Sequence, residues 1–206
     1  MFTGIVQGTA TVVEANRSSG GLSLVMALPR GLEVGLQIGA SVSVSGVCLT
    51  AVQIHDTQVS FDVIEESLDK TTLGTTNVGT RLNIERAATF GSEIGGHLLS
   101  GHIAGRAEVV ESTWSNNSLT LKIRPDSELL RYIFAKGFIG VDGVSLTVGV
   151  VDNDAGMFSV HLIPETLRMT TLGSNPKLVN LEIDAMTQAV VDTVERMLSA
   201  QKKGES

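Results

Sequence analysis

Few residues in this sequence can move protons or hold an electrophile. There is one cysteine, Cys48, and there are four histidines, His55, His97, His102 and His161. Cys48 stands in the block Gly46-Val-Cys-Leu-Thr50, which returns as Gly143-Val-Ser-Leu-Thr147. A thiol in one block and the Ser145 hydroxyl at the matching place can each polarise a bound molecule, relay a proton or stabilise an added nucleophile. Thr50 and Thr147 follow at the same spacing. A histidine titrates near neutrality and is the natural proton shuttle. His102 is the first choice for acid–base work and His97 the second, whereas His55 sits in a polar turn and reads as a surface residue. The competing reading of Cys48 is a small buried hydrophobe, the commoner state of a free cysteine.

Other chemistries find no support. There is no metal-type ligand spacing, no phosphate-cradling loop and no dinucleotide fingerprint, so neither metal nor cofactor is expected. The 206 residues carry a net charge of -7, with 4% aromatics. That balance argues against nucleic acid as a partner. A lone cysteine cannot form an intrachain disulfide, and a cytoplasmic setting is expected. No apolar run approaches a membrane span, and MFTGIVQGTA lacks the regions of a signal peptide.

The elements that must position these residues come in two copies. Phe2-Thr-Gly-Ile-Val-Gln-Gly-Thr-Ala-Thr-Val-Val-Glu14 aligns with Leu99-Ser-Gly-His-Ile-Ala-Gly-Arg-Ala-Glu-Val-Val-Glu111, and Leu82-Asn-Ile-Glu85 with Val179-Asn-Leu-Glu182. Glu66-Ser-Leu-Asp-Lys-Thr-Thr-Leu-Gly74 aligns with Glu165-Thr-Leu-Arg-Met-Thr-Thr-Leu-Gly173, two residues out of step with the other blocks. The blocks keep their order through both halves, which predicts two homologous domains, 1–96 and 97–184, followed by a tail, 185–206. Across the repeat, Ile5 faces His102, Asp62 faces His161 and Gly39 faces Lys136, so the second half carries polar groups that the first lacks.

Each copy reads as β. Ser41-Val-Ser-Val-Ser45 alternates with period two, and Leu49–Ile54, Val59–Ile64, Leu119–Ile123 and Met157–Ile163 are apolar or β-branched runs between turn signals. Short strands at this spacing predict a small barrel or sandwich. Two helices are expected. One covers Pro125–Ile133. The other is the tail, where Met186, Val190, Val194 and Met197 form one stripe behind an Asp184 N-cap. That stripe packs on a barrel or, the favoured reading, meets the same helix of another subunit. Gln201 to Ser206 are expected to fray.

These residues resemble the riboflavin synthase family. The likeness is carried by Met1–Val6, Gly46–Thr50, Gly95-Gly-His-Leu-Leu-Ser-Gly-His102, Lys136–Thr147, His161-Leu-Ile-Pro-Glu-Thr166 and Thr187–Arg196, and runs from residue 1 to about 198. One departure is Val47, where family members often carry a second cysteine. The resemblance implies a mainly β fold of two tandem six-stranded Greek-key β-barrels plus a C-terminal α-helix, and a homotrimer held by those helices. It implies that each barrel binds one 6,7-dimethyl-8-ribityllumazine, with the site between the first barrel of one subunit and the second barrel of its neighbour. One molecule passes a four-carbon unit to the other, without a cofactor. Association with lumazine synthase is a further possibility of that family.

The resemblance also implies a set of contacts. For the first barrel these are Gly4, Ile5, Val6, Ser41, Cys48, Leu49, Thr50, Asp62, Val63, Ile64, Glu65, Glu66 and Ser67. For the second they are Gly101, His102, Ile103, Lys136, Ser145, Leu146, Thr147, Val160, His161, Leu162, Ile163, Pro164 and Glu165. Cys48 would serve one lumazine, and Ser145 with His102 the other. The Thr-Thr-Leu-Gly blocks read as structural turns. The rival is a lumazine- or flavin-binding antenna protein without catalysis. A pure interaction module, which would bind no lumazine, is the third reading.

Overall fold

The computed structural model describes residues 1–204. The first repeat supplies strands β1 (Gly8–Ser18), β2 (Gly21–Ala27), β3 (Ser41–Val44), β4 (Val47–His55) and β5 (Gln58–Val63), helix α1 (Glu65–Lys70), and β6 (Arg81–Arg86). The second supplies β7 (Gly105–Ser115), β8 (Ser118–Arg124), the single turn α2 (Ser127–Leu130), β9 (Phe138–Val141), β10 (Val144–Asp152), β11 (Met157–Leu162), α3 (Pro164–Met169) and β12 (Leu178–Ile183). The tail is α4 (Ala185–Gly204). Each repeat closes into a six-stranded antiparallel barrel, the first in the order β1-β2-β5-β4-β3-β6 and the second in the matching order. The meander β3-β4-β5 returns beside β2, which is a Greek-key path.

Alternation decides which side chains fill each barrel. In β4 and β10 the burial pattern is the same residue for residue. Leu49 and Leu146 point inward, while Cys48 and Ser145 on the opposite face are half-buried. The cores are related but not identical. Val59 and Phe61 in β5 are matched by Phe158 and Val160 in β11, all at most 1% exposed. Large and small residues have exchanged layers, which keeps the filled volume nearly constant, the kind of change a close-packed core tolerates best. Both barrels carry irregularities at corresponding places, Val12/Glu14 and Val109/Glu111, and such bulges supply the curvature that closes a small barrel. The slip in the repeat now has a cause. The β4–β5 turn holds two residues, Asp56 and Thr57, and the β10–β11 turn four, Asn153–Gly156; the segment before β12 is shorter by the same amount.

The barrels meet about a local two-fold. Ser45-Gly46 and Asp142-Gly143 each form a two-residue hairpin loop with φ positive at both positions, the turn that suits the twist of the strands. The loops touch: a Cβ on Gly46 would stand 2.8 Å from the Gly143 nitrogen. Asn83 of the first barrel donates to the Asp142 carbonyl at 2.9 Å and accepts from the Thr171 N–H at 2.8 Å. Asn180 of the second donates to the Ser45 carbonyl at 2.9 Å and accepts from the Thr72 N–H at 2.7 Å. The Thr-Thr-Leu-Gly blocks therefore do build turns, two 3-10 helices whose first N–H groups dock the opposite barrel.

Two expectations about helices change. Pro125–Ile133 is not one helix, because Tyr132 and Ile133 turn into the second core and bond back to Leu129 and Leu130 in 3-10 fashion. Helices α1 and α3 fall where the sequence points to contact residues but to no helix; Pro164 at the start of α3 and the acidic residues of both first turns are their signals. Asp184 does cap α4, accepting from the Thr187 N–H at 2.9 Å and its hydroxyl at 2.7 Å. The helix holds past Gln201, as far as Gly204; Glu205 and Ser206 lie outside the described residues. Among the described residues no helix is long and apolar enough to cross a membrane.

Candidate functional site

Each barrel carries an open pocket on its outer face, at the residue where the repeat places Cys48 or Ser145. The Cys48 pocket, about 330 Å³, is lined by Val47, Glu66, Ser67, Lys70 and Thr71 of its own repeat and by Gly101, His102 and Ile103 of the other. The Ser145 pocket, about 510 Å³, is lined by Val144, Ile163, Glu165, Thr166, Met169 and Thr170 of its own repeat and by Gly4–Gln7 of the other. The two arms have changed places. This corrects the expected grouping, in which Gly4, Ile5 and Val6 went with Cys48, and Gly101, His102 and Ile103 with Ser145.

Backbone pairing fixes the exchange. The Cys48 N–H donates to the Gly101 carbonyl at 2.9 Å, and the Ser145 N–H to the Gly4 carbonyl at 2.8 Å. Both glycines have positive φ, and a Cβ on either would fall within 2.5 Å of the facing Cys48 or Ser145 Cβ. Only glycine lets the arm approach that closely. Phe2 and Leu99 pair with each other where the arms cross, each N–H donating to the other's carbonyl. His102 is thus beside Cys48, not Ser145.

Ser145 has a different histidine. The His97 N–H donates to Ser145 Oγ at 3.1 Å, and His97 Nδ1 stands 2.6 Å from the same oxygen. Its ring stacks on Phe138 at 5.1 Å, and Nε2 is buried with no hydrogen-bond partner among the described residues. Burial pushes the imidazole below its ordinary pKa, with the Asp184 carboxylate pulling the other way. A neutral ring can accept the Ser145 proton and so raise the nucleophilicity of that oxygen.

The remaining predicted residues separate by strand face. Leu49, Val63, Leu146, Val160 and Leu162 are core side chains, so only their backbone is available to a ligand. Ser41 pairs with Thr50 on the outer face near Cys48, and Thr50, Thr147, Asp62, Ile64 and Glu65 are exposed outside the two linings. Glu66 and Glu165 do line pockets, each paired with a cation: Lys70 at 2.7 Å and Arg168 at 2.5 Å. These partners hold both carboxyls below the usual range. His161 is exposed, its Nδ1 2.9 Å from Thr120 Oγ1, and Lys136 is exposed in the turn before β9. Pro164 opens α3. Thr166, Met169 and Thr170 were not anticipated as lining residues; their signal was the period of α3, which turns them to the side of Glu165.

Comparison with known proteins agrees with this architecture. The Lumazine binding domain family matches residues 3–87 and again 100–184. Riboflavin synthase of Escherichia coli (strain K12) is 52% identical over 206 residues, covering 98% of this chain and 95% of the relative. Riboflavin synthase of Chlamydia pneumoniae is 43% identical, covering 98% of this chain and 100% of the relative. A crystal structure of LumP complexed with riboflavin superposes with a TM-score of 0.83 at 27% identity, covering 89% of this chain and 100% of that one. LumP complexed with 6,7-dimethyl-8-(1'-D-ribityl) lumazine gives 0.81 at 26%, covering 89% and 99%. With two matched repeats, the fold in common and relatives of this identity over nearly the full length, the chain belongs to the riboflavin synthase family.

Proposed function

We propose that this chain is a riboflavin synthase, converting two 6,7-dimethyl-8-ribityllumazine molecules into riboflavin and 5-amino-6-(D-ribitylamino)uracil by transfer of a four-carbon unit. The observation that carries the reading is the pair of related pockets with different reactive groups, Cys48 and His102 lining one, and Ser145, backed by the buried His97 that bonds it, lining the other. Identical substrates suit pockets of common origin, and the different groups suit unlike parts in the reaction. The C7 methyl of one lumazine, the acceptor, loses a proton to a base, because the ring delocalises the resulting anion. That carbon attacks a ring carbon of the other molecule, the donor. When the acceptor's second methyl does the same, both ring C–N bonds of the donor break, its four carbons stay on the acceptor and the protons return to the pyrimidine as it leaves. His102 and His97 are the shuttles; the Cys48 thiol and Ser145 hydroxyl polarise or hold the lumazine under attack. Holding both rings together turns a bimolecular step into an effectively unimolecular one, worth roughly 7–11 kcal/mol.

The full site forms between subunits of a homotrimer, the Cys48 pocket of one facing the Ser145 pocket of the next. Two features support this: the pockets share no lining residue, and α4 leaves Met186, Val190, Val194 and Met197 at least 49% exposed on one stripe. The protein works in the cytoplasm, where a lone reduced cysteine is at home. Assembly with lumazine synthase is a separate proposal, tested by co-sedimentation.

Incubating the chain with 6,7-dimethyl-8-ribityllumazine alone, with absorbance detection, is expected to give one riboflavin for two lumazines consumed. The LumP complexes favour a second reading, ligand capture without turnover. Tight binding with no riboflavin formed would select it.

A further inference from the structure

Each barrel buries a glutamate that forms no ion pair among the described residues. Glu85 of β6 and Glu182 of β12 are 3% and 5% exposed. Glu182 accepts from the Ser100 N–H at 2.6 Å, the Ser100 hydroxyl at 2.8 Å and the Gly101 N–H at 3.1 Å. Ser100 Oγ then accepts from the His102 N–H at 3.2 Å, while the Gly101 carbonyl takes the Cys48 N–H. A continuous set of bonds therefore runs from a strand of the second barrel to the pocket of the first. The mirror set runs from Glu85 to the Thr3 N–H at 2.6 Å, the Thr3 hydroxyl at 2.7 Å and the Gly4 N–H at 3.0 Å, and on to Ser145. Burying a carboxylate is costly unless several donors converge on it. Here all of those donors belong to the exchanged arms.

We infer that Glu182 and Glu85 are positioning residues acting across the barrels: Glu182 sets the arm carrying His102 against Cys48, and Glu85 sets Gly4–Val6 against Ser145. Neither glutamate is among the residues lining either pocket. The inference deepens the proposed function, and rests on it for the meaning of the pockets, but its test needs no turnover.

Cys48 is the only cysteine, so alkylation by iodoacetamide reports one pocket alone. In the full chain, Glu182→Gln puts an amide N–H₂ where donors converge and releases the arm. Alkylation is then expected to accelerate about fivefold, as the loss of charge-assisted hydrogen bonds implies. Glu85→Gln, the same change on the barrel that contains Cys48, is expected to leave the rate near that of the parent. The imidazole signal of His102 in proton NMR should shift in the first variant and not in the second. A stability role alone would move both variants alike, and equal rates would overturn the inference, as would acceleration by Glu85→Gln only. Should Glu182→Gln not fold, Ser100→Ala removes the middle link, with Thr3→Val as its mirror. Acceleration by the first and not the second is the supporting result, and no difference between them is the refuting one. Riboflavin formation measured on the same samples keeps the two questions apart, since the alkylation pattern stands or falls whether or not lumazine is turned over.

Discussion

At the scale of single residues, the repeat makes each side chain its own control. Ser45 and Asp142 occupy the same place at the contact of the barrels, and both accept from an asparagine N–H, Asn83 at 3.1 Å and Asn180 at 2.8 Å. Only Asp142 brings a charge. Burial raises its carboxyl from 3.8 to about 7, against the opposing Asn180 bond. Between those values the folded chain holds a proton that the unfolded chain has released, so this group's contribution to stability falls as pH rises and its cost is complete above pH 7. Asp142→Ser copies the solution of the first barrel. It is expected to be more stable than the parent at pH 8, by on the order of 1–3 kcal/mol, and nearly equal to it at pH 4. Urea unfolding at the two pH values measures this; a parent that is the more stable at pH 8 would refute it. In the sequence Asp142 stands beside Gly143 with nothing to mark it as buried. Its burial was not legible, because the turn packs against the other barrel and not against its own strands.

At the scale of elements, most of the fold could be read and the reason is periodic. Ser41-Val-Ser-Val-Ser45 and its neighbours alternate because one face of each strand is core. Short helices were harder to see. α1 and α3 span six residues each, too few for a hydrophobic period to register. The tail helix was legible, yet it does two things where one was expected. Val191 packs against the second core, and Asp192 and Glu195 bond Tyr132 and Arg131. Met186, Val190, Val194 and Met197 stay outside. The two faces make separable predictions. Val190→Asp with Val194→Asp places charge on the free stripe and is expected to give monomers by sedimentation, with barrels intact by circular dichroism and riboflavin formation lost. Trimers that survive both substitutions would exclude that stripe as the subunit contact.

At the scale of the whole molecule, the exchange of arms was hidden from the sequence for a reason of symmetry. When two copies swap the same segment, each pocket keeps an arm of the expected type, so the aligned blocks look alike whether the arms are exchanged or not. Only the differences reveal it: His102 stands where the other arm has Ile5, and it belongs to the pocket of Cys48. The exchange decides which pairs of variants can test a site shared between subunits. Cys48→Ser and His102→Gln damage the same pocket and cannot complement. Cys48→Ser and Ser145→Ala damage different ones. In a cyclic trimer made by refolding these two chains together, every mixed trimer contains one junction with both pockets intact, so activity should recover to about a quarter of the parent. No recovery above the separate variants would place both pockets of a working site in one chain.

The crossing of Phe2 and Leu99 also bears on synthesis. Gly4 is made long before the group it closes on, since its carbonyl waits for the Ser145 N–H. At ordinary rates of translation that wait lasts on the order of ten seconds. Through it Glu85 can already be shut into the first barrel by Thr3, but the arm ahead of β1 that carries Gly4 and Ile5 has no second barrel to close against. The first repeat thus emerges with one arm unfinished, and the second copy completes it as it is made.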